Sequence, residues 1–437
     1  MSETTILKET SPKLAKVTEL ARRAPGLRLR SLAHVLDEDV LKQSFHRLRK
    51  DAAVGMDGVT KEEYERNLAG NIRALYERMR AGRYRHQPIR RARIPKADGT
   101  LRPLGISSTE DKIVQGALTM LLSAIYEPVF MDCSYGFRPN RSAHDAIRSL
   151  HDATFGSVSW ILEADIEAFF DSIDRKKLVE ELNKRIDDES LIRLIGKCLH
   201  VGILDGQVYT TPDVGTAQGS ALSPLLGNVY LHYALDEWFV NDVVPRMRGA
   251  AKLVRYADDF VIAFEYEEDA EKVMRVLPQR LARYNLRLSP KKTRLLPFRR
   301  PRGDEEKGQS TFDFLGFTWH WGRKFRTWMV CVKTRAARMV RALAAISEWC
   351  RLHRHDPVRE QQRGLRRRLQ GHFNYFAVTT NGKQVWRLLY WVTRIWQRWL
   401  ARRSQRSRMS WARFQAIERA LPLPRPRLKP LLRTSAT

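Results

Sequence analysis

Cysteine is scarce. Cys133, Cys198, Cys331 and Cys350 are the only four in 437 residues. No two of them have C-x-x-C spacing, which excludes the zinc and redox arrangements built on that pair. Scattered single thiols suit a reducing interior. Long apolar runs are also missing, so no stretch predicts a membrane span. The first twenty residues contain Glu3, Glu9 and Glu19 and no apolar core. They resemble neither a secretory leader nor an acid-poor transit peptide. The expected location is the cytoplasm, in association with the nucleoid.

Acid is the other shortage. Asp and Glu number 49 against 78 Lys and Arg, a net charge of +29. A chain with that excess repels itself unless it meets a polyanion. Nucleic acid fits, because phosphate contacts release counterions and favour many cations acting together. An anionic membrane surface is the alternative. It is disfavoured because the basic residues run through the whole chain rather than along one terminal helix. Hydrophobic residues make up 43% of the chain, ordinary for a globular protein with a sizeable core.

The pattern along the chain alternates helical and strand-like segments. Short helical patterns cover Leu14 to Ala21 and Asp37 to Leu48. Gly55 to Thr60 is a turn signal, and Thr60 with Glu63 predicts a capping box for a helix running to Met79. Residues 87–106 read as two strands joined at Ala97-Asp98-Gly99, and 109–127 as a helix. Residues 158–166 alternate with a period of two, a strand pattern, and Asp174 is placed to cap the helix that follows. Residues 215–238 begin as a Gly-rich loop and become an apolar helix. Residues 252–264 predict two strands with Ala257-Asp258-Asp259 between them, and 267–285 a helix. Strand patterns recur at 311–319 and 326–333. Beyond about 334 the chain turns helical and rich in Arg. The Pro-Leu-Arg tail at 421–428 is expected to lie extended over another surface.

Two short stretches carry the chemistry. Asp165-Ile166-Glu167-Ala168-Phe169-Phe170-Asp171 ends the strand at 158–166, and Tyr256-Ala257-Asp258-Asp259 lies at a hairpin turn. Polynucleotide synthesis needs carboxylates from separate strands meeting at one point, where they hold two magnesium ions about 3.5–4 Å apart. Magnesium keeps much of its shell for water and phosphate, so two or three Asp suffice. Each stretch also has a plainer reading. An Asp-Asp pair in a turn is commonly turn chemistry, and an Asp ending a strand commonly caps the next helix. Their occurrence together, in one strongly basic chain, favours the catalytic reading.

With these motifs the chain resembles the reverse transcriptases encoded by group II introns, of the type lacking an endonuclease, over nearly its full length. Asp165 to Asp171 is similar to the first metal-binding motif of that family, and Tyr256 to Asp259 to its characteristic tetrapeptide. The resemblance implies an α+β right-hand polymerase: fingers, an antiparallel-sheet palm and a helical thumb with maturase function. It divides the chain into a basic extension and fingers at 1–150, a palm at 151–333, a thumb and RNA-binding region at 334–420 and a Pro/Arg tail at 421–437. It implies that Asp165, Asp258 and Asp259 hold two Mg2+ ions, with the Ile166 carbonyl also available and Mn2+ able to substitute.

Gly215 to Leu226 is similar to the family's next motif, although Ala217 stands where the common form has Pro. Small residues there let backbone approach a base or sugar, and Gln218 and Gly219 are the nucleotide-contacting candidates. Phe170, five residues after Asp165, has the spacing of the aromatic that lies under the sugar and excludes a ribose 2′-hydroxyl; a core aromatic is the other reading. Ile94 to Leu104 reads as a basic hairpin. Its Lys96 and Arg102 could clamp a triphosphate, or face solvent. Ser289-Pro290-Lys291-Lys292-Thr293 is similar to the motif whose lysine protonates departing pyrophosphate, with Lys292 the best fit; a plain basic loop is the other reading. Phe314-Leu315-Gly316-Phe317 resembles the primer-grip turn. Tyr135 to Ser142 and Gly55 to Thr60 resemble further hallmarks that are physically only turns.

Residues 383–405 predict a helix with Arg387, Arg394, Arg398 and Arg402 on one face. Balancing acids are missing, so the stripe is expected to run along RNA phosphates rather than stand as a plain solvated face. Many relatives continue into a nuclease with paired cysteines and histidines. Cys350, His353 and His355 have no second cluster to complete such a finger, so neither zinc nor target nicking is expected. The expected function is RNA-directed DNA synthesis with assistance to intron splicing and mobility. Partners are an RNA template or intron RNA, a DNA primer or target and deoxynucleoside triphosphates, with no membrane. Rival readings are the same chemistry in host defence or DNA repair, an RNA-binding splicing factor with an inactive palm, and an RNA polymerase. Intact Asp165, Asp258 and Asp259 oppose the second rival, and Phe170 opposes the third.

Overall fold

A computed structural model describes residues 11–95, 101–205, 208–210, 219–301, 310–324, 327–404 and 409–431. The strands, in chain order, are β1 (Leu29–Arg30), β2 (Ile89–Pro95), β3 (Leu101–Ile106), β4 (Trp160–Asp165), β5 (Ile186–Asp187), β6 (Ile203–Asp205), β7 (Val208–Thr210), β8 (Ala251–Tyr256), β9 (Asp259–Phe264), β10 (Arg294–Pro297), β11 (Phe312–Phe314), β12 (Phe317–Lys324) and β13 (Thr327–Thr334). They form a parallel pair β1-β5 and three sheets with the orders β3-β2-β6-β7, β10-β4-β9-β8 and β11-β12-β13. The chain divides into two compact units. One comprises Met1–Ser142, Ala164–Phe260 and Glu268–Arg294; the other comprises Ala143–Glu163, Val261–Glu267 and Leu295–Thr437. Among the described residues, no helix is long and apolar enough to cross a membrane.

In the first unit, the helix Thr109–Tyr126 is the hub. Its sequence is apolar almost all round, which a helix tolerates only when covered on several sides. Helices Pro12–Arg23 and Glu38–Arg47 pack on it, and so does Ser223–Leu231. Local signals set the boundaries, at Asp174 and Thr60 as the sequence predicts. The side chains of Asp37, Ser108 and Asp174 accept from Val40, Asp111 and Lys177 backbone N–H groups, and Thr60 closes its capping box with Glu63. One expectation fails in detail. The helix after Thr60 does not run unbroken to Met79; it stops at Glu65 and restarts at Leu68, with Asn67 out of helical geometry between them. The basic hairpin forms as β2 and β3, antiparallel with Ile94 opposite Arg102.

In the second unit, β11, β12 and β13 form an antiparallel meander. Phe312 and Trp319 stack with ring centroids 5.5 Å apart, and His151 of the helix Ala143–Thr154 reaches the Val330 carbonyl at 3.2 Å. The Leu315-Gly316 turn between β11 and β12 is fixed by Tyr375, whose hydroxyl donates to the Leu315 carbonyl at 2.8 Å. Helices Ala336–Leu352, Val358–Phe376 and Gly382–Leu400 pack on one another. The segment after Ala420 is extended, as its prolines predict. Lys429 pairs with Val378, and the Pro422 carbonyl accepts from Gln362 at 2.8 Å.

Candidate active site

Asp165 is the last residue of β4. Ile161, Leu162, Ala164 and Ile166 are buried around it, while Asp165 itself is half-buried. Past Ile166 the chain must reverse. Ala168 takes a left-handed φ of 43°, and Ser172 caps the reversal by donating to the carbonyls of Glu167 and Ala168. The short helix Phe169–Ser172 follows, with Phe169 buried and Phe170 half-buried. Phe170 lies over Gly227 of the helix Ser223–Leu231; a Cβ there would stand 3.3 Å from the ring.

Asp258 and Asp259 sit at the junction of β8 and β9. The turn proper is Ala257–Asp258, and Asp259 already opens β9, so the turn is one residue shorter than the pattern suggests. A two-residue link between antiparallel strands demands a positive φ, and Ala257 supplies it at 58°. Both carboxylates are half-buried.

The segment Ser289–Thr293 is fastened to Asp165. Ser289 N–H donates to the Asp165 carbonyl at 2.8 Å, Glu167 N–H to the Arg287 carbonyl at 2.9 Å, and Ile166 bridges Leu288. Lys292 then reaches back and donates to Asp165 Oδ2 at 2.8 Å. Its ammonium is held above the ordinary lysine value, first by that hydrogen bond. Burial opposes the shift, and the charges of Asp165, Asp259 and Asp258 add to it. The charges of all three carboxylates act on this one cation, although Asp165 ends β4 and Asp258 and Asp259 lie at the β8–β9 junction. Among the described residues, no group of three or more His, Cys, Asp or Glu could hold a metal ion. Magnesium needs no such cage, since one or two carboxylates and substrate phosphates serve it. Asp165, Asp258 and Asp259 offer hard oxygen donors of the kind magnesium takes.

The nucleotide-contacting candidates are only partly in view. Lys96 and Gln218 lie outside the described residues, and so does the Arg102 side chain, although its backbone pairs within β3. Gly219 is placed. Its φ is 110°, and a Cβ would meet the Gly105 carbonyl of β3 at 2.5 Å, so only glycine lets this turn lie against the hairpin.

Residues 94–319 match the family model described as "Reverse transcriptase (RNA-dependent DNA polymerase)", just over half of the 437-residue chain. The chain belongs to the reverse transcriptase family. It is 32% identical to "Protein YkfC" of Escherichia coli (strain K12) over 280 residues, 56% of this chain and 74% of that protein. It is 36% identical to "Group II intron-encoded protein LtrA" of Lactococcus lactis subsp. cremoris over 200 residues, 46% of this chain and 33% of the relative. It is 39% identical to "Uncharacterized 91 kDa protein in cob intron" of Schizosaccharomyces pombe over 207 residues, 47% of this chain and 25% of the relative. The aligned region thus covers only a quarter to a third of these last two relatives. Reverse transcriptases generally use divalent metal ions, and Asp165, Asp258 and Asp259 lie within the matched region.

In this reverse transcriptase the Ala257–Asp258 turn has a support that the sequence reading missed. Arg255, three residues before Asp258, is fully buried. Its guanidinium gives every N–H to a partner. Nε and Nη2 donate to Asp236, Nη1 to Asn228 Oδ1 at 3.0 Å and the Ala257 carbonyl at 2.8 Å, and Nη2 also to Ser134 Oγ at 2.7 Å. Burial alone would lower the Arg255 pKa; the charge and hydrogen bonds of Asp236 more than offset it and hold it up. Asp236 reaches the arginine from a π-helical turn, His232–Asp236, that continues the helix Ser223–Leu231. The signal was present: a charged residue between Val254 and Tyr256 in an apolar strand must be paired if buried.

On the helix Gly382–Leu400, Val385, Leu388, Val392, Trp396 and Leu400 are buried. Arg387, Arg394 and Arg398 are exposed on it, and Arg402, also exposed, falls just beyond its end. Trp386, Tyr390 and Trp391 are exposed too, so the outer surface mixes aromatic rings with arginines.

Proposed function

We propose that this chain copies RNA into DNA by two-metal nucleotidyl transfer and binds a structured intron RNA. The observation that carries the polymerase reading is the 2.8 Å Lys292–Asp165 pair, on which the charges of Asp258 and Asp259 also act, inside the region matched to the family. Asp165, Asp258 and Asp259, with the Ile166 carbonyl, would hold two magnesium ions, and manganese would suit the same donors. When bound, these ions neutralise the triphosphate and lower the proton affinity of the primer hydroxyl.

The chain's own groups do the rest. In this reading the primer 3′ hydroxyl gives its proton to solvent, and its oxygen bonds to the α-phosphorus as the bond from that phosphorus to the bridging oxygen breaks. Lys292, already placed at Asp165, gives its proton to the departing pyrophosphate. Phe170, seated on Gly227, forms the floor under the sugar and leaves no room for a 2′-hydroxyl. Gln218 and Gly219 meet the nucleotide, and Lys96 and Arg102 the triphosphate. Fingers, palm and thumb take the boundaries expected from sequence. Arg387, Arg394, Arg398 and Arg402 track RNA phosphates. Support for the intron-binding part comes from the likeness to intron-encoded proteins and from the net charge of +29. The test is primer extension on an RNA template with deoxynucleotides, with and without magnesium. Metal-dependent extension supports the reading, and its absence with an annealed primer contradicts it.

A further inference from the structure

The segment Tyr135 to Ser142 has no part in the chemistry above, yet it is fixed against the catalytic turn. Ser134 pairs with Arg255 of β8 through a single parallel bridge. Tyr135 N–H donates to the Arg255 carbonyl at 2.9 Å, and Arg255 N–H to the Cys133 carbonyl at 2.8 Å. A Cβ on Gly136 would stand 2.4 Å from the Ala257 nitrogen, so glycine alone permits the approach. Asn228 donates to the Gly136 carbonyl at 2.7 Å. On the far side, buried Arg138 is locked by Glu127 and by the carbonyls of Met131 and Ser134.

Between these fixed neighbours stands Phe137, in a conformation an aromatic residue rarely takes. Its φ is 56°, in the left-handed region. The residue is 56% exposed, as much as Phe155 and more than any other phenylalanine among the described residues. The ring meets Tyr256 with centroids 6.4 Å apart. A turn built only for folding would favour Gly or Asn here, as the same segment does at Asn140, φ 57°. Non-glycine residues held in sparsely populated backbone regions cluster at functional sites. Ala168 and Ala257, both at this site, are two further examples.

We infer that Phe137 is a nucleic-acid-binding residue whose ring stacks on the 3′-terminal nucleotide of the primer. The inference rests on the polymerase reading. In that reading, Asp258 and Asp259 act at the primer 3′ oxygen, and Tyr256 stands two residues before Asp258. A solvent-facing ring against Tyr256 therefore lies beside the primer end. The nucleotide side is taken by Phe170. A bare aromatic face suits a base of any identity, as a template-directed enzyme requires.

The test uses the full chain with Phe137→Gly and Phe137→Trp. Glycine removes the ring and suits the left-handed backbone, so its melting temperature should equal or exceed that of the parent. Its dissociation constant for an RNA template annealed to a DNA primer should rise about 5- to 100-fold, the range for loss of one stacked base. Products made in one binding event should shorten, and the deoxynucleotide KM at saturating duplex should hold steady. Phe137→Trp should restore binding. A primer with an abasic 3′ terminus should abolish the difference between parent and Phe137→Gly, while an abasic template position should not. Parent-like duplex binding in Phe137→Gly overturns the inference. So does an effect confined to the nucleotide KM, or to the abasic template. If Phe137→Gly melts early, Phe137→Asn, which also tolerates this backbone, decides by the same readings. If the parent extends no primer at all, the polymerase reading has failed instead.

Discussion

Lys292 donates to Asp165 Oδ2 at 2.8 Å across 127 residues of sequence. This pair joins the first acidic motif to the basic Ser-Pro-Lys-Lys-Thr segment. If Lys292 is the proton donor to pyrophosphate, Lys292→Ala should slow single-turnover nucleotide addition by about 10²-fold or more, within the range for general acids. Affinity for annealed primer should barely change, because the ammonium acts at the leaving group. An unchanged addition rate would reduce Lys292 to a counter-charge for Asp165.

The buried Arg255–Asp236 pair predicts a separation of stability from activity. Asp236→Ala strands the guanidinium in the core and should cost about 3–5 kcal/mol, read as a fall in the melting temperature of the parent enzyme. Replacing both partners with apolar residues, Arg255→Met with Asp236→Leu, should recover most of that loss. Primer extension should stay depressed in the double variant, because nothing then donates to the Ala257 carbonyl. Full recovery of both would show that the pair is packing and no more.

Phe170 packs on Gly227 and is only half-buried. Phe170→Ala should raise the ratio of ribonucleotide to deoxynucleotide incorporation by at least about tenfold, since sugar choice here is exclusion by shape. An unchanged ratio in an active variant would return Phe170 to the core.

Burial pushes the His232 imidazole down to about 4 from its ordinary 6.5. Between those values the unfolded chain binds the proton that the folded chain refuses. Stability should therefore be fully present above pH 6.5 and decline as pH falls toward 4, with this residue contributing on the order of 3 kcal/mol across the window. His232→Phe, set among Phe130 and Tyr233, should flatten the loss in melts compared at pH 7.5 and 5. An identical slope in both proteins would contradict the assignment.

The carboxylates were legible in the sequence because they occupy local patterns. Asp165 ends a period-two strand, and Asp258 lies in a turn between two apolar strands. The Lys292 contact was legible only through resemblance, since 127 residues of chain separate the partners. The turn itself read one residue too long, because Asp259 is both a turn former by type and the first residue of β9. Arg255, Asp236, Asn228 and Ser134 escaped notice because a buried polar network has no local period; its members come from three separate segments. Phe137 escaped because sequence does not reveal which aromatic carries a left-handed backbone. The break at Asn67 escaped because the capping box at Thr60 predicts where a helix starts, and nothing about where it ends.

The central claim is tested most directly by one rate: single-nucleotide addition to a DNA primer on an RNA template by Asp258→Asn in magnesium. Asparagine keeps the size and turn preference of the residue and removes one charge. The rate should fall by about a thousandfold or more, the scale of several kcal/mol of transition-state charge stabilisation. Duplex binding and melting temperature should match those of the parent. Addition at the parental rate would contradict the assignment of the metal-binding centre, and with it the account of how this chain works.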